Sequence, residues 1–121
     1  MNEDTTYLAL LSEIAAEDVA GLKKAQESYG NSWKSRGGVG AFMMLARKWD
    51  RLEKQVAKSL GDPGSPETII SSYDIFGHIA ADDRSEGIID DIRDLRRYLM
   101  LVEAEMRARG SEAATSTHRD N

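Results

Sequence analysis

The feature that most constrains this fold is an apolar seam at alternating steps of four and three: Ile88, Ile92, Leu95, Leu99, Val102 and Met106. That spacing holds the side chains on one face of an α-helix and on no face of a strand. The same stretch, residues 85–106, carries a second stripe, Glu86, Asp90 and Asp94, at steps of four. Carboxylates so placed repel one another by about 0.2–0.5 kcal/mol per pair. Neighbouring arginines or a divalent cation would offset that repulsion.

The rest of the chain repeats the helical period. Leu8, Leu11, Ile14, Ala15, Val19 and Leu22 share a face, which predicts a first helix from Thr5 or Thr6 to about Glu27. Residues 28–40, SYGNSWKSRGGVG, hold no period and read as a loop with a short turn around Trp33. A second helix is expected over residues 41–60, with Phe42, Leu45, Trp49, Leu52 and Val56 as its core stripe. Gly61-Asp62-Pro63-Gly64 ends it. Ser65 and Pro66 suit the N-cap and first turn of a short helix over residues 66–79. Ser85 suits the N-cap of the third long helix, and after Arg109 the small, polar residues 110–121 predict a disordered tail. The expectation is a single all-α domain over residues 1–109, a bundle of three long helices and one short helix. Long seams with few residues to cover them predict that a homo-oligomer, dimer or tetramer, completes the bundle.

Composition narrows the function. A chain of 121 residues makes one domain, and 40% hydrophobic with 31% charged residues is too apolar for wholesale disorder. The net charge of −5 disfavours direct nucleic-acid binding, which needs clustered cations. The absence of cysteine removes thiolate chemistry and fits a reducing cytoplasm. No signal peptide is expected, and no window approaches the roughly 18 apolar residues of a membrane span.

Chemistry has two candidate sources. Asp50 and Glu53 are neighbours on the second helix, and Glu86, Asp90 and Asp94 align on the third, with Asp91 one step round towards the seam. Two helices presenting paired carboxylates can cage Mg²⁺ or Mn²⁺, hard cations that keep positions open for phosphate oxygens. Arg47, Arg51, Arg93, Arg96 and Arg97 lie within a turn of these acids, and taken on spacing alone a solvated face of such ion pairs is the stronger reading. In the loop, Tyr29 and Trp33 suit stacking on a flat ring, or folding back as a lid. Arg36-Gly37-Gly38-Val39-Gly40 leads into a helix N-terminus that could face phosphate, although it is not a GxxxxGK loop. Lys34, Arg36, Lys48 and Arg51 add cations. Nothing forms a serine or histidine triad, and His78 and His118 read as incidental.

Together the segments Tyr29-Gly30-Asn31-Ser32-Trp33, Arg47-Lys48-Trp49-Asp50-Arg51-Leu52-Glu53 and Glu86-Gly87-Ile88-Ile89-Asp90-Asp91, with Tyr98 beyond, resemble a small family of phage and bacterial proteins associated with nucleotide modification. That family is similar to the MazG-like all-α nucleoside triphosphate pyrophosphohydrolases. The resemblance spans residues 24–106. It implies Mg²⁺ (or Mn²⁺) bound by two acidic helix pairs and cleavage between the α and β phosphates. Asp50 and Glu53 match the first pair, with aspartate in place of the first glutamate. Glu86 and Asp90 match the second at a spacing of four, whereas Asp91 and Asp94 match it at three.

On this resemblance Asp50, Glu53, Glu86, Asp90 and Asp94 would hold metal, with Glu53, Glu86 and Asp90 catalytic. Lys48 and Arg51 would contact phosphates, and Tyr29 or Trp33 the base of a (d)NTP. The protein would act in the cytoplasm, the host's if phage-encoded. A noncatalytic nucleotide-binding protein or helical adaptor is the alternative.

Overall fold

The computed structural model describes residues 4–84 and 87–119, with side chains to residue 112. It is all-α, as expected: α1 (Thr6–Tyr29), α2 (Val39–Val56), α3 (Ile75–Ala81) and α4 (Ile88–Arg119). Among the described residues the only strand-like pairing is one isolated bridge, Leu60 to Ile70.

Left-handed backbone sets the turn between α1 and α2. Gly30 (φ 60°) closes α1 by donating its N–H to the Gln26 carbonyl. The expected loop is a 3₁₀ segment, Ser32–Gly38, broken where Arg36, Gly37 and Gly38 take φ of 58°, 67° and 88°. Two glycines in that run adopt the conformation at no steric cost. The turn delivers the chain into α2 at Val39, ahead of the expected start at Ala41.

α2 ends at Val56, short of the expected Leu60, because the following backbone pairs elsewhere. Leu60 and Ile70 exchange both N–H···O bonds, and Tyr73 donates its N–H to the Val56 carbonyl at 2.7 Å. This clip also splits the expected helix over residues 66–79. Pro66–Thr68 makes one 3₁₀ turn, Ile69 is extended, and α3 starts only after Asp74, whose carboxylate caps the Gly77 N–H. His78 is not incidental: it is 2% exposed and bonds through both ring nitrogens to the clip and to its own helix.

α4 begins at Ile88, whose N–H donates to the Asp82 carboxylate at 2.6 Å. Ser85, the expected cap, lies outside the described residues. The helix runs past the expected end at Arg109. One internal glycine, Gly110, costs only about 1 kcal/mol, and the Glu105–Arg109 pair at i, i+4 supports the turn before it.

The buried core is small: Leu52, Val56 and Ile88, with Ile75, Ile79, Ile92 and Leu95 packed on it. α2 is rotated from the expected stripe. Ala41, Leu52 and Val56 are buried while Phe42 and Trp49 are 70% and 54% exposed. The reason is polar: Lys48 is turned towards α4 to meet the carboxylates there, and that carries Trp49 to the flank. On α1, Leu8, Leu11 and Val19 are likewise exposed.

A candidate ligand cleft

α1 docks on α4 through a charge cluster. Asp18 is 1% exposed. Arg96 grips both of its oxygens, with the NH2 bond at 2.7 Å, and Arg97 donates Nε–H to Oδ1 at 2.8 Å. The Arg96 hydrogen bonds, opposed by burial and reinforced by Arg97, hold the Asp18 carboxyl down at about 2. Asp18 follows Ile14 by four on the inward face of the first helix, so an acid there was a legible signal. The motif-based reading passed over it.

The acidic stripe of α4 is divided between partners. Asp90 accepts from the Gly87 N–H at 2.9 Å and from Arg93 at 2.7 Å. Asp94 lies 3.0 Å from the Lys48 ammonium. Asp91, 1% exposed, has Oδ1 at 3.5 Å from Arg51 Nε and 4.0 Å from Lys48 Nζ. Among the described residues its Oδ2 is buried with no hydrogen-bond partner. A buried carboxylate oxygen normally has one.

Beside this cluster opens a cleft of about 540 Å³ between α1, the 3₁₀ segment, the start of α2, and α4. Such a volume is in the range of small-molecule sites. Tyr29, Trp33 and Tyr98 supply aromatic walls, Asp94 and Arg97 supply charge, and Gly21 forms part of the α1 side. Trp33 also lines a second cleft of about 430 Å³ with Phe42, Leu45 and Met106, rimmed by the Lys34–Glu105 ion pair at 2.9 Å.

The cleft thus gathers Tyr29, Trp33 and Asp94 from the expected site, with Lys48 bonded to Asp94 and Arg51 one step behind on Asp91. Asp90 sits a turn away on Arg93. Asp50 and Glu53 are exposed on α2 and do not line the cleft. Each lies two residues, about 200° of helix, from a cation that faces α4 (Lys48 and Arg51). Glu86 lies outside the described residues. Among the described residues no three His, Cys, Asp or Glu side chains converge as a metal cluster. Gly21 and the buried Asp18 are what sequence reasoning left out; it takes Asp91 as a partner of Asp94 at a spacing of three, and Arg97 only as a counter-charge for the acidic stripe.

No protein-family model, curated protein or solved structure matches this chain. Among the described residues no helix is long and apolar enough to cross a membrane.

Proposed function

We propose that this chain is a metal-dependent nucleoside triphosphate pyrophosphohydrolase, converting (d)NTP and water to (d)NMP and pyrophosphate. The observation that carries the reading is the cleft itself. It brings the aromatic Tyr29 and Trp33 of the loop to the acidic α4 at Asp94, two features read separately in the sequence. Tyr29, Trp33 and Tyr98 would hold the base by stacking.

Two carboxylates at the start of α4 support the reading of a hard divalent cation whose remaining positions would be filled by water and phosphate oxygens. Asp91 keeps an unpartnered buried oxygen, and Asp94 is one turn on. The Lys48 ammonium stands between the two carboxylates, where positive charge is stabilised. Asp91 and Asp94 would hold Mg²⁺ or Mn²⁺, with Asp90 beside them. Such an ion supplies charge neutralisation for a polyphosphate and an acidified water. Lys48, displaced from the carboxylates, and Arg51 would turn to the phosphates.

Pyrophosphate release from a panel of dNTPs with Mg²⁺ or Mn²⁺ tests this. Turnover by the unmodified chain that is lost in Asp94→Asn is the expected result, and no turnover above that variant overturns it. A noncatalytic nucleotide binder is the second reading, favoured by the exposed placement of Asp50 and Glu53. It predicts nucleotide binding by calorimetry with no product.

The same reading has the protein working as a homo-oligomer. An uncovered groove on the α2–α4 face is lined by Leu52, Ile92, Leu95, Leu99 and Met100. A second copy seated on this groove would cover these apolar side chains.

A further inference from the structure

We propose that Arg97, set in place by Asp18 and by the bare backbone of Gly21, is the group in the cleft wall that binds a phosphate of the ligand. The inference rests on the nucleotide reading above and adds to it an anion contact outside the acidic stripe.

Three observations carry it. Arg96 alone engages both oxygens of Asp18, which is enough to neutralise and satisfy one buried carboxylate. Arg97 is therefore not needed to satisfy Asp18, and the charges around it are two guanidiniums facing Asp18 and the Glu17 carboxylate, which lies within electrostatic reach of Arg96. Second, Arg97 spends only part of its donor capacity on protein. Nε–H goes to Asp18 at 2.8 Å, and NH2 reaches the Glu17 carbonyl at 3.2 Å. A guanidinium carries five N–H donors in a fixed fork, so among the described residues about three, both of those on NH1 included, have no hydrogen-bond partner.

Third, the arginine has been given a route into the cleft. Gly21 sits inside α1, where glycine costs roughly 1 kcal/mol relative to alanine. A Cβ built there would lie 2.6 Å from Arg97 NH1 and 2.8 Å from its central carbon. The guanidinium thus lies flat across the α1 backbone at Gly21, and both residues line the cleft. Asp18 fixes the Nε edge, and Gly21 leaves the room that NH1 occupies in the wall both residues line. On α4, Asp94 and Arg97 are one turn apart in the same wall, so acid and base are separated along one cleft rather than paired with each other. Arg97 is a binding residue, and Asp18 and Gly21 act through it as positioning residues.

Titration calorimetry on the full chain with Mg²⁺ tests this, using deoxynucleoside α,β-imidotriphosphates and their parent deoxynucleosides as paired probes. The expected result is that Arg97→Met weakens triphosphate binding by about tenfold, the size of one charged hydrogen-bond contact. Affinity for the parent nucleoside should stay the same, and Arg97→Lys should retain part of the triphosphate affinity. Gly21→Ala, which displaces the guanidinium without removing it, should lower triphosphate affinity in the same direction with helix content preserved by circular dichroism. Unchanged triphosphate affinity in Arg97→Met, or equal losses for triphosphate and nucleoside, overturns the Arg97 assignment while leaving the nucleotide reading intact. If the unmodified chain binds none of the triphosphates, both fall together.

Discussion

The imidazole Nε2 of His78 lies 2.7 Å from the backbone carbonyl oxygen of Lys58, and its Nδ1 lies 2.8 Å from that of Asp74. Carbonyl oxygens only accept, so both bonds form together only when the ring is the doubly protonated cation. The bond to Asp74, then the bond to Lys58, raise the His78 pKa above its ordinary value, against the opposing cost of burial. The Asp74 carboxylate acts in the same direction. A folded-state pKa above the unfolded one gives stability that is complete below the unfolded value, about 6.5. That stability is lost as pH rises through the folded value. Thermal melts taken from mildly acidic to alkaline pH should show Tm falling across this window, and His78→Gln should flatten that fall. A pH slope identical in the variant would show that the ring is not the cation the geometry demands.

Asp18 has the opposite sign. Its carboxyl is held at about 2, below the ordinary 3.8, so its contribution is present above roughly pH 4 and disappears as pH falls through about 2. Asp18→Asn leaves two guanidiniums facing a neutral amide at a buried contact. The expected loss at neutral pH is about 2–3 kcal/mol, below the roughly 3–5 kcal/mol for breaking a fully buried pair because both arginines are partly exposed. Urea unfolding checks the magnitude. A loss under about 0.5 kcal/mol, the scale of an ordinary surface substitution, would mean that α1 is held by something other than this cluster.

Lys48→Met removes the ammonium that stands between Asp91 and Asp94. Destabilisation of about 2 kcal/mol is expected, since the buried Asp91 then keeps only Arg51 at 3.5 Å and the more distant charge of Arg84. Mg²⁺ or Mn²⁺ should restore part of the lost Tm and should raise it more in the variant than in the unmodified chain, by mass action at the vacated cation position. Equal metal responses in the two proteins would argue against metal at these carboxylates.

Leu99→Glu places a charge in the apolar groove of the α2–α4 face. Light scattering should find the unmodified chain as a dimer or larger, and the variant as a monomer with its helix content retained. A monomeric unmodified chain would remove the interface.

The helical class and the approximate places of the long helices were readable because apolar period and glycine position act locally. Facing was not. Leu52 and Val56 are core as their spacing suggests, but Phe42 and Trp49 are not, because rotation of α2 is decided by where the Lys48 ammonium finds carboxylates. The clip between α2 and α3 was invisible for a similar reason. The Leu60–Ile70 bridge pairs backbone across a Pro-Gly turn, and no side-chain period reports it. Within the site, the aromatic loop and Asp94 do share a cleft. The inward acid at Asp18 was readable, but its pairing with Arg96 and Arg97 escaped because it joins residues some eighty positions apart, a distance no local spacing rule spans.

α1 walls the cleft without contributing a fully buried apolar side chain to the core. Its attachment therefore has a free energy of its own, separable from the one that holds α2 against α4. Opening can be local: release of one carboxylate lets the helix swing while the core stays folded, and its amides exchange hydrogen without global unfolding. Anything that fills the cleft must slow that exchange, because occupant and helix share a wall. Protection of the α1 amides would thus report cleft occupancy for a ligand of any chemistry.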